Sequence, residues 1–82
     1  MEFKFDTQLL TEGENLSEEA IRKHITENMK GDCLIVIGDS NLIKIHFHTN
    51  EPWKLLEYCN GLGKIYDIVV ENMEYQSENF NK

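Results

Sequence analysis

The stretch Cys33-Leu34-Ile35-Val36-Ile37-Gly38-Asp39-Ser40-Asn41-Leu42-Ile43-Lys44-Ile45-His46-Phe47-His48-Thr49 decides how this chain folds. Its first five residues are apolar and rich in β-branched side chains, Gly38 to Asn41 supply a tight reversal, and from Leu42 the apolar residues alternate with Lys and His. Two strands joined as a hairpin follow. In the second strand the period of two puts Ile43, Ile45 and Phe47 on one face and Lys44, His46 and His48 on the other. Both imidazoles of the His-x-His triplet therefore leave the same side of a sheet. Neutral imidazole is the commonest metal ligand and titrates near neutrality, so this pair is where the chain points to chemistry.

Working outward, Phe3 to about Glu12 alternates so that Phe3, Phe5, Thr7 and Leu9 share one face and Lys4, Asp6, Gln8 and Leu10 the other. After the turn Gly13-Glu14-Asn15, Ser17 is placed to N-cap a helix with Glu18 and Glu19 in its first turn, where the helix dipole favours negative charge. Ala20, Ile21, Ile25 and Met29 form its apolar stripe, His24 lies at the stripe's boundary, and Gly31 is expected to C-cap it. Beyond the hairpin, Thr49 or Asn50 is expected to cap a second helix with Pro52 in its first turn. Leu55, Leu56, Cys59 and Leu62 recur there at helical spacing until Gly61 and Gly63 end it. Lys64 to Met73 is the last strand, with Ile68 and Val70 on one face and Asp67, Val69 and Glu71 on the other.

The order βαββαβ is the ferredoxin-like split βαβ arrangement: an α+β fold with a four-stranded antiparallel sheet in the order 4-1-3-2 and two helices on one face. Residues 1–75 are expected to form this single domain, with 76–82 a polar tail. The first and third strands are expected side by side and parallel at the sheet centre. With Phe3, Phe5 and Leu9 facing the helices beside Ile43, Ile45 and Phe47, Asp6 must lie on the open face with Lys44, His46 and His48. Glu71 on the fourth strand can join them.

Composition narrows the partners. A chain of 82 residues with a formal charge of −7 has the wrong sign for a phosphate backbone or an anionic membrane surface, so no nucleic-acid partner is expected. The run Cys33–Gly38 is far shorter than the roughly 20 apolar residues of a membrane span, and the expectation is of no signal peptide and a cytoplasmic location. Cys33 and Cys59 lack metal-type spacing and are expected to be buried free thiols. A strand so near the start and the polar run Gln76 to Lys82 suit a module of a longer protein.

Three readings of the histidines stay open. Asp6, His46 and His48 can hold zinc, which takes His nitrogen and Asp oxygen. Alternatively, His46 or His48 acts as an acid-base or phosphoryl-handling group beside Lys44. A solvated pair without a ligand is the third. Among weaker features, Gly61-Leu62-Gly63 is a helix terminus rather than a phosphate loop, Trp53 and Tyr58 can mark a partner surface, and Glu12, Glu14, Glu18 and Glu19 form a solvated acidic face. Leu10 and Val69 on the open sheet face suit dimerisation through that face, and a small-ligand regulatory role rests on fold analogy alone.

The strings Gly31-Asp32-Cys33-Leu34-Ile35-Val36-Ile37-Gly38-Asp39, Leu42-Ile43-Lys44-Ile45-His46-Phe47-His48-Thr49-Asn50-Glu51-Pro52 and Ile68-Val69-Val70-Glu71-Asn72-Met73 resemble the middle module of one family. It comprises the dihydroxyacetone-kinase-like multidomain proteins that include the fatty acid kinase catalytic subunit. The resemblance runs from Phe5-Asp6-Thr7-Gln8 to Gln76. It implies a parent that transfers the ATP γ-phosphoryl group to a fatty acid held by a separate DegV-family protein. Mg-ATP would sit on another domain, one resembling the dihydroxyacetone kinase L subunit, and a further C-terminal domain would recruit the carrier. The isolated module would be inactive. For the module itself the resemblance implies a metal-binding or phosphotransfer-assisting centre made of the paired histidines and a first-strand cysteine, together with homodimerisation. The histidines match His46 and His48. Relatives read Tyr-Cys-Thr-Glu on the first strand where this chain has Phe5-Asp6-Thr7-Gln8, so Asp6 stands in the cysteine's place. Aspartate still ligates zinc, but loss of the soft thiolate leaves the identity of the divalent metal open.

Overall fold

A computed structural model describes residues 1–75. The strands and helices follow in the order β1 (Phe5–Glu12), α1 (Glu18–Asn28), β2 (Gly31–Gly38), β3 (Leu42–Thr49), α2 (Pro52–Leu62) and β4 (Lys64–Asn72). The sheet order is β2-β3-β1-β4, the expected 4-1-3-2 order of the ferredoxin-like α+β fold. The tail expected at Gln76 to Lys82 lies outside the described residues.

Every neighbouring pair in the sheet is antiparallel, including β1 with β3. The expectation of parallel central strands is therefore wrong. Helix α1 carries the chain back so that β2 runs in the direction of β1, and the hairpin then reverses it, so β3, lying between them, opposes both. Directly opposed residues of an antiparallel pair also share a face, so the expected grouping of residues on the two faces holds. Leu9 opposes Ile45, Thr11 opposes Ile43, and Asp6 opposes His48.

One side of the sheet carries the core. Leu9, Val36, Ile43, Ile45 and Phe47 pack there against Ile21 and Ile25 of α1 and Leu55 and Cys59 of α2. Three buried threonines lie among the strand residues on this side, and their hydroxyls find carbonyl partners: Thr7 donates to Phe5 O, Thr11 to Cys59 O and Thr49 to Lys30 O. Buried hydroxyls of this kind must be hydrogen-bonded to be tolerated. His24 stacks on Tyr58 with ring centroids 4.0 Å apart, so it joins the two helices rather than serving the sheet.

Ser17 caps α1 as expected, its hydroxyl accepting the Ala20 N–H. Gly31 does not cap it. The helix ends at Asn28 with Met29 extended, and Gly31 is already the first residue of β2. A Cβ there would collide with the His48 carbonyl and the Phe47 ring, so glycine is what lets β2 approach β3. At α2, Glu51 occupies the N-cap position without a side-chain bond, Pro52 opens the helix and Gly63 closes it. Thr49, expected as a cap, instead accepts the Glu51 N–H with its hydroxyl. Asn50 ties down the approach to β1, accepting the Lys4 N–H and donating to the Glu2 carbonyl. Glu18, expected in a solvated acidic face, accepts the Gly38 N–H and lies 3.9 Å from Arg22, which itself donates to the Val36 carbonyl. Together they pin α1 to the end of β2.

Candidate metal centre

The sheet's open face brings the expected residues together. Asp6 of β1 opposes His48 of β3, and His46 lies two residues along on the same face. Asp6 Oδ1 is 2.8 Å from His46 Nε2 and 3.8 Å from His48 Nε2, while the two rings meet edge to face with centroids 4.9 Å apart. All three side chains are largely covered, 21% exposed for Asp6 and His48 and 25% for His46. Gln8 donates to both oxygens of the Asp6 carboxylate at 3.4 Å and so helps to hold it. Glu71 of β4 stands directly across from Asp6, in line with its expected place beside the cluster.

Two of the three donor separations are close to what a tetrahedral ion asks for. Two ligands about 2.0–2.1 Å from a tetrahedral zinc lie roughly 3.3 Å apart, and the two Asp6–His separations bracket that value. One donor atom each from Asp6, His46 and His48 lies within 4.8 Å of the others. His46 Nε2 is sealed from solvent, yet its short approach to Asp6 lacks the alignment of a hydrogen bond. A buried ring nitrogen without such a bond is uncommon, and a cation between the ring and the carboxylate would satisfy both.

A second cluster, which periodicity does not reveal, adjoins the first. His48 turns Nδ1 toward β2, where Asp32 Oδ1 is 3.7 Å away, and Asp32, Cys33 and His48 also bring donor atoms within 4.8 Å of one another. Cys33 is exposed, which corrects its expected burial. The cause is a β-bulge. Asp32 opposes His48 but Ile35 opposes His46, so Cys33 and Leu34 share the space of one residue and Cys33 takes a left-handed φ of 53°. The matching irregularity in β4 lets Tyr66 oppose Leu10 and Val69 oppose Gln8, with Asp67 at φ 52°. The alternation expected along the last strand breaks there.

Both bulges left a trace in the sequence. Counting by twos from buried Val36 puts Asp32 on the core face, and counting from Ile65, which packs on the core, does the same to Asp67. A carboxylate facing an apolar core is too costly, and the extra residue taken up at Cys33–Leu34 in β2 and at Asp67–Ile68 in β4 relieves the conflict. Cys59, by contrast, is buried as expected, and burial pushes its thiol up to about 12.

Beyond the cluster, Ile35, Ile37, Leu42 and Val69 are exposed large apolar side chains of the open face, Ile35 and Ile37 at 50% and 59%. Among the described residues no helix is long and apolar enough to cross a membrane. Trp53 is exposed on α2, whereas Tyr58 packs against the core.

The fold and the open-face cluster define a small α+β sandwich that gathers imidazole and carboxylate groups on its uncovered sheet. Residues 2–80 match the model of the FakA-like middle domain, the middle domain of proteins like the A-type subunit of fatty acid kinase, and the chain belongs to that family. It is similar to Protein YloV of Bacillus subtilis strain 168, with 32% identity over 78 residues, covering 93% of this chain. It is also similar to an uncharacterized protein of Staphylococcus aureus strain USA300, with 41% identity over 46 residues, 56% of this chain. The chain spans only 14% and 8% of the lengths of these two relatives.

Proposed function

We propose that this domain is an accessory module of a larger fatty-acid-kinase-like protein, without activity alone, in which Asp6, His46 and His48 hold a divalent cation, zinc by its ligand set. The observation that carries the reading is the convergence of the three donors from β1 and β3, with a sealed ring nitrogen aimed at the carboxylate. The parent's other domains would transfer the γ-phosphoryl group from Mg-ATP to a fatty acid presented by a DegV-family protein. Within this domain the cation cross-links the two central strands and stiffens the open face. A phosphoryl-handling role for His46 and His48 is less favoured, because Asp6 and Asp32 flank the His48 ring with carboxylates that repel a phosphoryl group. Metal analysis of the purified chain is expected to find bound ion that is lost in the His46→Ala/His48→Ala variant, and the same substitutions are expected to lower the parent's kinase activity. Absence of metal together with unchanged kinase activity would remove the site.

The exposed Ile35, Ile37, Leu42 and Val69 support a second, compatible role: homodimerisation through the open face. A helix-free sheet otherwise leaves this apolar surface in water. Sedimentation velocity across the micromolar range is expected to show self-association; a monomer at every concentration excludes it.

A further inference from the structure

We propose that His48 is shared between two mutually exclusive cation sites, and that the second, formed by Asp32, Cys33 and His48 at the β2 bulge, takes thiophilic cations. The inference rests on the cation reading of the first cluster only for the ligand the two have in common. His48 faces Asp6 through Nε2 and Asp32 through Nδ1. A neutral imidazole has one lone pair, and the nitrogen that does not bind metal carries the proton. When the ion sits with Asp6 and His46, the Nδ1–H of His48 is left to donate toward Asp32, which then orients the ring as an outer-shell carboxylate does. When the ion sits with Asp32 and Cys33, the Nε2–H points at Asp6, and the two carboxylates exchange roles. One ring cannot serve both ions without losing its second proton, so each chain holds one.

The bulge is what makes the second site. With unbroken alternation the residue after Asp32 would point to the opposite face. The left-handed turn at Cys33 instead brings its sulfur within 4.8 Å of donor atoms of both Asp32 and His48. The two sites differ in softness: two imidazoles and a carboxylate against one imidazole, a carboxylate and a thiolate. Thiolate selects soft cations, so Cd²⁺ goes to the second site and releases the thiol proton to solvent, whereas the imidazole-rich site suits Zn²⁺.

The test titrates the 82-residue chain with Cd²⁺ and follows the ultraviolet sulfur-to-cadmium charge-transfer absorption alongside the number of ions bound. Wild type is expected to develop the band and to saturate at one Cd²⁺ per chain, and Cd²⁺ added to zinc-loaded protein is expected to release one Zn²⁺ for each Cd²⁺ taken up. Cys33→Ser is expected to abolish the band and weaken Cd²⁺ binding more than the roughly 10–100-fold typical of losing an outer-shell partner. His48→Ala is expected to weaken it comparably, while His46→Ala, which removes only the first site, leaves the band intact. No band in wild type, a band of unchanged affinity in His48→Ala, or simultaneous binding of Zn²⁺ and Cd²⁺ would each overturn the proposal. Failure to bind Zn²⁺ with the Cd²⁺ band preserved counts against the first site and leaves the second standing.

Discussion

Zinc-linked stability tests the open-face cluster most directly. The perturbation is Zn²⁺ added to a Cys33→Ser chain, so that no exposed thiol competes, compared with the same chain carrying His46→Ala. In the folded domain the Asp6–His46 and Asp6–His48 separations of 2.8 and 3.8 Å must each change by only about half an ångström to reach the roughly 3.3 Å of a tetrahedral pair. These two pairs ask for little movement, so little of the binding free energy is spent on rearranging them. The unfolded chain does not hold residues 6, 46 and 48 together, and binding therefore appears as added stability. At an ion concentration of 100 Kd the gain is about 2.7 kcal/mol. For a domain of this size each kcal/mol moves Tm by roughly 4–8 °C, which puts the rise at roughly 11–22 °C. Scanning calorimetry with and without Zn²⁺ reads it, with His46→Ala expected to lose most of the rise and to change the metal-free Tm little. An unchanged Tm in the presence of saturating Zn²⁺, or an equal rise in the His46→Ala chain, would refute the reasoning.

Other expectations follow from burial and hydrogen bonding. The native chain should expose one reactive thiol, Cys33, and a second only on denaturation, because Cys59 is buried and its thiol lies at about 12; thiol counting near pH 8 checks this. Asp39 accepts the N–H groups of Asn41 and Leu42, which hold its carboxyl below the ordinary 3.8. Its contribution to stability is thus present above the unfolded-state value and is lost as pH falls through the lower folded one, and an NMR titration of the carboxyl should show the depressed midpoint. Ile45→Ala, at a fully buried position of the core, should cost roughly 2–5 kcal/mol out of a total of roughly 4–12 kcal/mol, measurable as a fall in the urea midpoint. If the open face forms a dimer, Ile37→Lys should shift sedimentation toward monomer while changing monomer stability by less than about 0.5 kcal/mol.

Residue periodicity determined much of this protein. The alternation through Ile43, Ile45 and Phe47, the stripe through Ile21 and Ile25, and the pair Leu55 and Cys59 each state which side of an element is apolar, and burying those sides together leaves few arrangements of six elements. Because directly opposed strand residues share a face whatever the strand direction, Asp6, His46 and His48 fall together from sequence even when the central strands are expected to be parallel. Tertiary structure decided where each strand takes up its extra residue, and so what lies on the far side of His48. The bulges at Cys33 and Asp67 arise because a carboxylate reached by strict alternation would face the core, and the strand relieves that conflict by adding a residue. Such a shift depends on the neighbouring strand's register and on what the helices cover, neither of which is encoded within a few residues. For that reason Cys33, which looks like a buried apolar residue in its own segment, stands exposed beside the second nitrogen of the histidine ring.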